Sequence, residues 1–192
     1  MHKLKSQKSY LATSILIGCI SLILTEYSLA ASYQSFSTSA IDISNASAGS
    51  AADKNNLASI AINPALSAQI NAPELAISTV FVKPNNEITG NYYSAGNASE
   101  LDNKDVGKSY MVPAAYFAMP IAKDWFIGLA AFSNYNSKLE YDNNYVAGLA
   151  AGTRELFSYE INPHIAYRIN SELSVGVGIS HIYASYEVAT NY

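Results

Sequence analysis

This chain has few charged residues, one cysteine and no long apolar run. Asp, Glu, Lys and Arg make up 14% of its 192 residues, against about 25% in an average soluble domain. The one cysteine, Cys19, excludes a disulfide framework and a Cys/His metal cluster. With a net charge of −4, the chain has no basic face of the kind that binds nucleic acid. No apolar run reaches the ~20 residues of a spanning helix, so a helical membrane protein is excluded.

The N-terminus has the composition of an export signal. Three lysines in the first eight residues precede an apolar stretch over residues 11–24. The segment then ends in small residues, the last of which is Ala30. The stretch is too short for a membrane anchor, so we predict a signal peptide over 1–30 with cleavage after Ala30. Cys19 resembles the cysteine of a lipoprotein box, but the apolar run continues past it, which favours ordinary cleavage.

The strongest pattern in the chain is strict alternation of apolar and polar residues in its last third. One set is apolar: Phe157, Tyr159, Ile161, Pro163, Ile165, Tyr167 and Ile169, then Leu173, Val175, Val177 and Ile179. The interleaved residues are small or polar: Ser158, Glu160, Asn162, His164, Ala166 and Arg168, then Ser174, Gly176, Gly178 and Ser180. A period of two predicts strands with one apolar face. An apolar outside and a polar inside are typical of a transmembrane β-barrel.

About five such strands fit the chain, over residues 75–83, 110–121, 125–135, 156–169 and 173–189. They are joined alternately by turns of about three residues, near 122–124 and 170–172, and by long polar connections, near 94–109 and 136–155. Short turns on one side and long loops on the other are typical of outer-membrane barrels; a soluble sandwich does not predict them. We therefore predict an all-β fold, an antiparallel transmembrane β-barrel that is partial over residues 73–192.

Aromatic residues lie near the predicted strand ends. In a barrel they would form a girdle at the lipid headgroups, and in a soluble β-protein they would form a core. The export signal and the loop asymmetry favour the girdle, which would contain Trp125, Tyr135, Tyr159, Tyr167 and Tyr183.

Residues 31–72 are rich in Ser, Ala and Asn and poor in large apolar residues. They fit either a flexible linker or a plug packed inside a barrel. Short helices are expected around residues 50–57 and 64–69, separated by the Asn63-Pro64 turn signal.

The sequence gives little support for catalysis or for a metal or cofactor site. His164 lies on the predicted lumen face near Glu160 and Asn162, but no serine elbow or matched Ser/His motif accompanies it. We interpret the three as lumen-facing polar residues and expect no enzyme activity, no cofactor and no metal site. Gly176 and Gly178 lie within a strand and not in a phosphate loop, so we expect them to permit close packing against the plug.

Several segments, in order, resemble the long-chain fatty-acid transporter family of outer-membrane proteins (FadL/TodX type). The first is Ala61-Ile62-Asn63-Pro64-Ala65-Leu66, which is similar to the NPA signature of the family's hatch. Later ones are Tyr116-Phe117-Ala118-Met119-Pro120-Ile121, then Trp125-Phe126-Ile127-Gly128-Leu129 with Ser133-Asn134-Tyr135, and Leu173-Ser174-Val175-Gly176-Val177-Gly178. No single motif is specific, but their order and spacing make the resemblance strong.

The resemblance implies a 14-stranded barrel with an N-terminal hatch in its lumen. Asn63, Pro64 and Ala65 would lie in the hatch. Ser133, Asn134 and Tyr135 would lie at or near an inward kink of the third strand, where substrate leaves sideways. The implied function is passive transport of long-chain fatty acids or other hydrophobic compounds across the bacterial outer membrane. Outer-membrane lipid and the barrel-assembly machinery are the expected partners.

The chain is short for this family, because five strands cannot close the barrel and open edges cannot lie in lipid. It is expected to be the N-terminal part of a transporter. The alternative is a small structural or adhesive outer-membrane barrel without transport activity, although a small barrel leaves no room for a plug. The sequence does not distinguish a fatty acid from an aromatic hydrocarbon as substrate.

Overall fold

A computed structural model describes residues 39–94, 97–100, 102, 105–141 and 152–190. The predicted export signal and the first residues of the predicted plug lie outside this part of the chain. Within it, every helix is too short or too polar to cross a bilayer.

Nine strands are formed by the described residues. They are β1 (Glu74–Val82), β2 (Asn91–Ser94), β3 (Asn97–Glu100), β4 (Tyr110–Pro120), β5 (Trp125–Phe132), β6 (Asn136–Glu140), β7 (Thr153–Arg168), β8 (Ser174–Gly178) and β9 (His181–Ala189). Strands β2 and β3 form a separate antiparallel hairpin; β3 lies within the predicted long connection near 94–109, and residues 87–93 were expected at most to extend the first strand beyond its bend. The other seven form one sheet.

The main sheet contains five antiparallel positions in sequence order. β1 pairs with β4, β4 with β5, and β5 with β7. β6 continues β5 along the same edge of β7, while β8 and β9 share the opposite edge. The predicted all-β antiparallel fold is confirmed, and in the described residues the sheet does not close into a barrel. We call the end with the short connections the turn end, and the end formed by β6, β9 and the start of β7 the loop end.

The two faces of the sheet differ along every central strand. In β7, residues 157, 159, 161, 163 and 165 are exposed, whereas the alternate residues from 158 to 166 are buried. The same alternation runs through β5. The exposed face is a continuous apolar surface, which includes Leu75, Ile77, Phe81, Ile127, Leu129, Ile161, Ile165, Val175 and Val177. We call it the outer face, and the opposite one the inner face.

Three short helices precede the sheet: α1 (Ala40–Ser44) and the 3-10 helices η1 (Leu57–Ala61) and η2 (Pro64–Gln69). The prediction of a helix over residues 64–69 is confirmed. The one over 50–57 is wrong, because Asn56 caps the following turn by accepting a hydrogen bond from the Ala58 amide at 3.2 Å. Asn side chains favour caps over helix interiors.

The N-terminal segment, residues 39–73, packs against the inner face. Its buried apolar residues share one cluster with those of β4, β5 and β7, namely Ala58, Ile60, Ala68, Ile70, Ala114, Tyr116, Ala118, Phe126, Ala130, Phe132 and Ala166. Many of these are alanines, so the segment approaches the sheet closely. The segment is thus a packed layer and not a flexible linker.

A buried carboxylate ties the beginning of this segment together. Asp42 is 2% exposed and accepts hydrogen bonds from Ser39 Oγ, Ser50 Oγ and Asn56 Nδ2, each at 3.0 Å. Charge-assisted bonds of this kind compensate for the burial of a carboxylate. They fix α1 against the start of η1.

Candidate functional site

The Asn63-Pro64-Ala65 turn lies at the contact between the N-terminal segment and the sheet. Asn63 caps η2, since its Oδ1 accepts from the Ala65 amide at 3.2 Å and its Nδ2 donates to the Ala51 carbonyl at 2.8 Å. Pro64 takes the first helical position, where its missing N–H costs nothing. The turn is therefore rigid, and its backbone faces β8.

Gly176 of β8 makes this contact possible. A Cβ at this position would lie 2.5 Å from the Ala65 nitrogen and 2.6 Å from the Pro64 carbonyl carbon. Both neighbours are backbone atoms that cannot rotate away, so only glycine fits. The expected close packing is observed for Gly176, whereas Gly178 instead faces the side chains of Asn162 and His164.

His164 joins the centre of the sheet to η2. It is 6% exposed, and its Nε2 lies 2.7 Å from Oγ of the fully buried Ser67. Gly128 on β5 and Gly178 on β8 are its direct cross-strand partners, and a Cβ at Gly128 would overlap the imidazole. This contact spans 97 residues of sequence, and the alternating pattern could not have revealed it.

Arg168 holds the end of η2. Its Nε donates to the Ala68 carbonyl at 2.8 Å, and its guanidinium carbon lies 4.6 Å from the centroid of the Phe126 ring. Satisfying a helix-end carbonyl with a guanidinium is favourable, and the stacking on Phe126 adds a cation–π contribution. Gly176, His164 and Arg168 thus fix η2 over the turn end of the sheet.

Ser133, Asn134 and Tyr135 lie where the third sheet position is interrupted. Phe132 pairs with Glu160, and Asn136 pairs with Phe157. Three residues therefore face two, which is a β-bulge. The bulge is held by hydrogen bonds, because Ser158 Oγ accepts from the Tyr135 amide at 2.9 Å and Ser133 Oγ donates to the Ser158 carbonyl.

Beside the bulge, β4 and β5 separate. Their ladder ends at Ala115 with Ala131, and Gly107 bridges Leu139 further toward the loop end. Between these points the Lys108 amide donates to the Lys138 carbonyl at 2.9 Å and Tyr135 lies in a single bridge. Residues 112–114 and 132–134 have no ladder pairing with each other; we call this opening the sheet gap. Unpaired strand segments inside a sheet are unusual, because backbone N–H and C=O groups without hydrogen-bond partners are costly in an apolar environment.

An apolar cavity of about 370 Å³ opens at the sheet gap. Its walls combine residues of the outer face with residues at the inner mouth: Ile77, Pro113, Ala114, Ala115, Ala131, Phe132, Ser133, Phe157, Tyr159, Glu160 and Ile161. The cavity therefore has residues of both faces in its walls. The volume suits part of a small apolar molecule or an alkyl chain.

Glu160 and Asn162, which the sequence placed on the lumen side with His164, are also buried on the inner face. Glu160 is 8% exposed and accepts from Asn134 Nδ2 at 2.8 Å, and Asn162 Nδ2 donates to Ser180 Oγ at 2.7 Å. Glu160 belongs to the sheet gap, whereas His164 belongs to the contact with η2. The three predicted residues therefore do not form one site.

Charged and aromatic residues lie at the edges of the apolar outer face. At the loop end, Lys138 Nζ donates to Glu155 Oε2 at 2.8 Å, and this bond raises the pKa of Lys138. Two aromatic pairs lie closer to the turn end: Tyr159 with Tyr183, centroids 5.1 Å apart, and Trp125 with Tyr167, 4.7 Å apart. The pairs are eight residues apart on β7, which is about 26 Å along a strand, close to the ~25 Å height of a barrel's apolar band.

Comparison with known proteins agrees with this architecture. The chain is 28% identical over 183 residues to the long-chain fatty acid transport protein of Escherichia coli O6:H1, covering 95% of this chain and 40% of the relative. It is 28% identical over 199 residues to outer membrane protein P1 of Haemophilus influenzae strain Rd, covering 97% and 42%. The chain thus spans about two fifths of the length of these relatives.

A solved structure shares the fold. The crystal structure of a Pseudomonas aeruginosa FadL homologue superposes with a TM-score of 0.70 at 18% identity, covering 80% of this chain and 38% of that one. The profile of the family described as outer membrane protein transport protein (OMPP1/FadL/TodX) matches residues 21–191. The chain therefore belongs to the OMPP1/FadL/TodX family of outer membrane proteins, which confirms the predicted family and the predicted outer-membrane location.

Proposed function

We propose that this chain forms the hatch and first strands of an outer-membrane transporter for long-chain fatty acids or other hydrophobic compounds. The observation that carries the proposal is the sheet gap, where an apolar cavity is lined by residues of both faces beside the bulge at Ser133, Asn134 and Tyr135. A continuous ladder would give a hydrophobic solute no way through the wall.

The N-terminal segment acts as the hatch in this proposal. Its η2 part is fixed by Gly176, His164 and Arg168 near the turn end. Asn63, Pro64 and Ala65 form its rigid turn against β8. With the hatch filling the lumen near the turn end, a solute entering from the loop end is directed sideways to the sheet gap and into outer-membrane lipid.

Transport by this route is passive. The apolar cavity walls lower the free energy of a hydrophobic solute by removing it from water, at about 25 cal/mol per Å² of apolar surface. No covalent step is involved, and lipid is the final acceptor. The proposed transport also requires a closed barrel, whose folding we expect to depend on the barrel-assembly machinery.

A small structural or adhesive barrel is the second candidate. It would have its lumen filled by its own side chains. Here the inner-face alanines, and the glycine opposite Ala65, are covered by a separate N-terminal layer. This layer favours the transporter.

Blocking the sheet gap tests the proposal. Ala131 lines the cavity and Ala122 lies exposed in a turn, so Ala131→Trp should obstruct passage while Ala122→Trp should not. Cells that lack their own fatty-acid transporter would express the chain fused to the C-terminal remainder of a family relative, so that the barrel can close, and would be given radiolabelled hexadecanol. We expect uptake above the empty-vector background for the parent chain and Ala122→Trp, and at least a tenfold reduction for Ala131→Trp. Equal uptake by both variants would show that the solute does not pass the gap, and uptake at background by the parent would reject transport.

A further inference from the structure

The lining of the cavity at the sheet gap contains a single carboxyl group and no Lys, Arg or His. The other lining residues are apolar apart from Ser133 and the Tyr159 hydroxyl. Glu160 is therefore the dominant electrostatic feature of the cavity. Ionisable side chains at membrane depth are costly, and they commonly mark the pathway of a solute.

The neighbours of Glu160 do not neutralise it. Its Oε2 accepts a hydrogen bond from the neutral amide of Asn134 at 2.8 Å. Toward the turn end, the inward-facing basic side chains of β7 are His164, whose Nε2 lies 2.7 Å from Ser67 Oγ, and Arg168, which donates to the carbonyls of Ala68 and Ile70. At the loop end of β7, Arg154 lines a different pocket.

A negative group beside an apolar passage discriminates by charge. Two anions brought within a few ångströms of each other repel strongly where little water screens them. A carboxylate head would approach Glu160 while losing its own hydration, whereas a hydroxyl head of the same chain length would meet no repulsion and could donate to the Glu160 oxygen. Specificity of this kind comes from a repulsive element and not from tighter binding of the favoured solute.

We propose that Glu160 makes the sheet gap selective for uncharged hydrophobic molecules over carboxylate anions of equal chain length. The inference rests on the proposed function, because it assigns a preference to the same passage. Glu160 acts on the solute directly, and Asn134 positions its carboxylate.

Two photoreactive probes test separately whether solutes enter the sheet gap and whether Glu160 makes it selective. Outer membranes that contain the chain would be incubated at pH 8 with a diazirine derivative of hexadecanol or of hexadecanoic acid, each at the same membrane-bound concentration. After illumination, mass spectrometry would quantify labelling at residues 132, 133 and 160, which are buried residues of the cavity lining and do not lie on the outer face. We expect the alcohol to label these residues at least tenfold more than the acid.

The charge is then removed by Glu160→Gln, which keeps an oxygen that can accept from Asn134. The matched control is Glu172→Gln, which removes one negative charge from an exposed turn. We expect Glu160→Gln to bring labelling by the acid to within about twofold of that by the alcohol. We expect Glu172→Gln to leave the parent ratio unchanged.

The results distinguish the inference from the proposed function. Equal labelling by acid and alcohol in the parent chain overturns the selectivity but leaves the passage standing, and this comparison requires no variant to fold. If the ratio of alcohol to acid labelling is unchanged in Glu160→Gln, the discrimination does not come from Glu160, and the inference is also overturned. Absence of labelling at these residues by either probe overturns both claims.

Discussion

The turn end and the loop end of the main sheet are built differently. At the turn end, β4, β5, β7 and β8 form continuous ladders, and η2 covers the inner face through Gly176, His164 and Arg168. At the loop end, β4 leaves β5, a bulge interrupts the third position, and an apolar cavity opens. One sheet thus holds the N-terminal segment tightly at one end and opens at the other, which is the arrangement that the proposed hatch and side passage require.

The most disruptive change to the turn end is Gly176→Val. Its new side chain would collide with the backbone of Pro64 and Ala65, which cannot move aside, so we expect a loss of about 3 kcal/mol or more. Gly90→Val is the matched control, because a Cβ there meets no atom within 4 Å. Urea unfolding in detergent would measure both. Equal stability of the two variants would show that the hatch turn does not contact β8.

Removing the contacts of Arg168 with η2 and Phe126 should have a smaller effect on stability. Arg168→Met removes the hydrogen bond to the Ala68 carbonyl and the cation–π contact with Phe126, so about 2 kcal/mol should be lost. Limited proteolysis should then cut residues 57–70 faster than in the parent chain. Lys123→Met, which removes an exposed charge from a turn, serves as the control and should leave the cleavage rate unaltered.

At the loop end, Ser158→Ala should loosen only the bulge. The Tyr135 amide would lose its acceptor, at a cost of about 1 kcal/mol. Hydrogen exchange should accelerate at Tyr135 and remain unchanged in η2. Faster exchange in η2 as well would mean that the two ends of the sheet are coupled and do not behave independently.

The smallest effect is expected for Lys138→Met, on the outer rim. Its bond to Glu155 is solvent-exposed, and such pairs contribute little. Because Glu155 raises the pKa of Lys138, the lysine stays charged at neutral pH. Any contribution of the pair is lost only as pH rises beyond the ordinary lysine value of about 10.4. Thermal unfolding of parent and variant should coincide from pH 6 to pH 9; a stability difference that changes within this range would disagree.

Much of the sheet could be predicted because each barrel strand carries a period-two signal. Strands β1, β4 and β5 follow the predicted ranges to within a few residues, and β7 begins three residues earlier than expected. The segment β6 was missed, since Asn136, Lys138 and Glu140 face outward beyond the apolar band and produce no apolar alternation. The break at residues 133–135 was instead interpreted as the end of a strand.

Contacts between distant segments could not be predicted from the pattern. The packing of Gly176 against the N-terminal segment was expected, but its partners Pro64 and Ala65 were not. The hydrogen bond between Ser67 and His164, and that between Asn134 and Glu160, join residues 97 and 26 positions apart. Alternation assigns a side chain to a face, and only the folded structure shows which side chains on that face meet.

The presence of the sheet gap is tested most directly by cysteine cross-linking. In a Cys19→Ser background, one variant would carry Met119→Cys and Ile127→Cys, which are paired in the ladder. The other would carry Val112→Cys and Asn134→Cys, which would be partners if the ladder continued through the gap. Disulfides require Cα atoms within about 7 Å. Under mild oxidation we predict efficient cross-linking of the first pair and none of the second; equal cross-linking of both would mean that the sheet is closed there and that the proposed side passage does not exist.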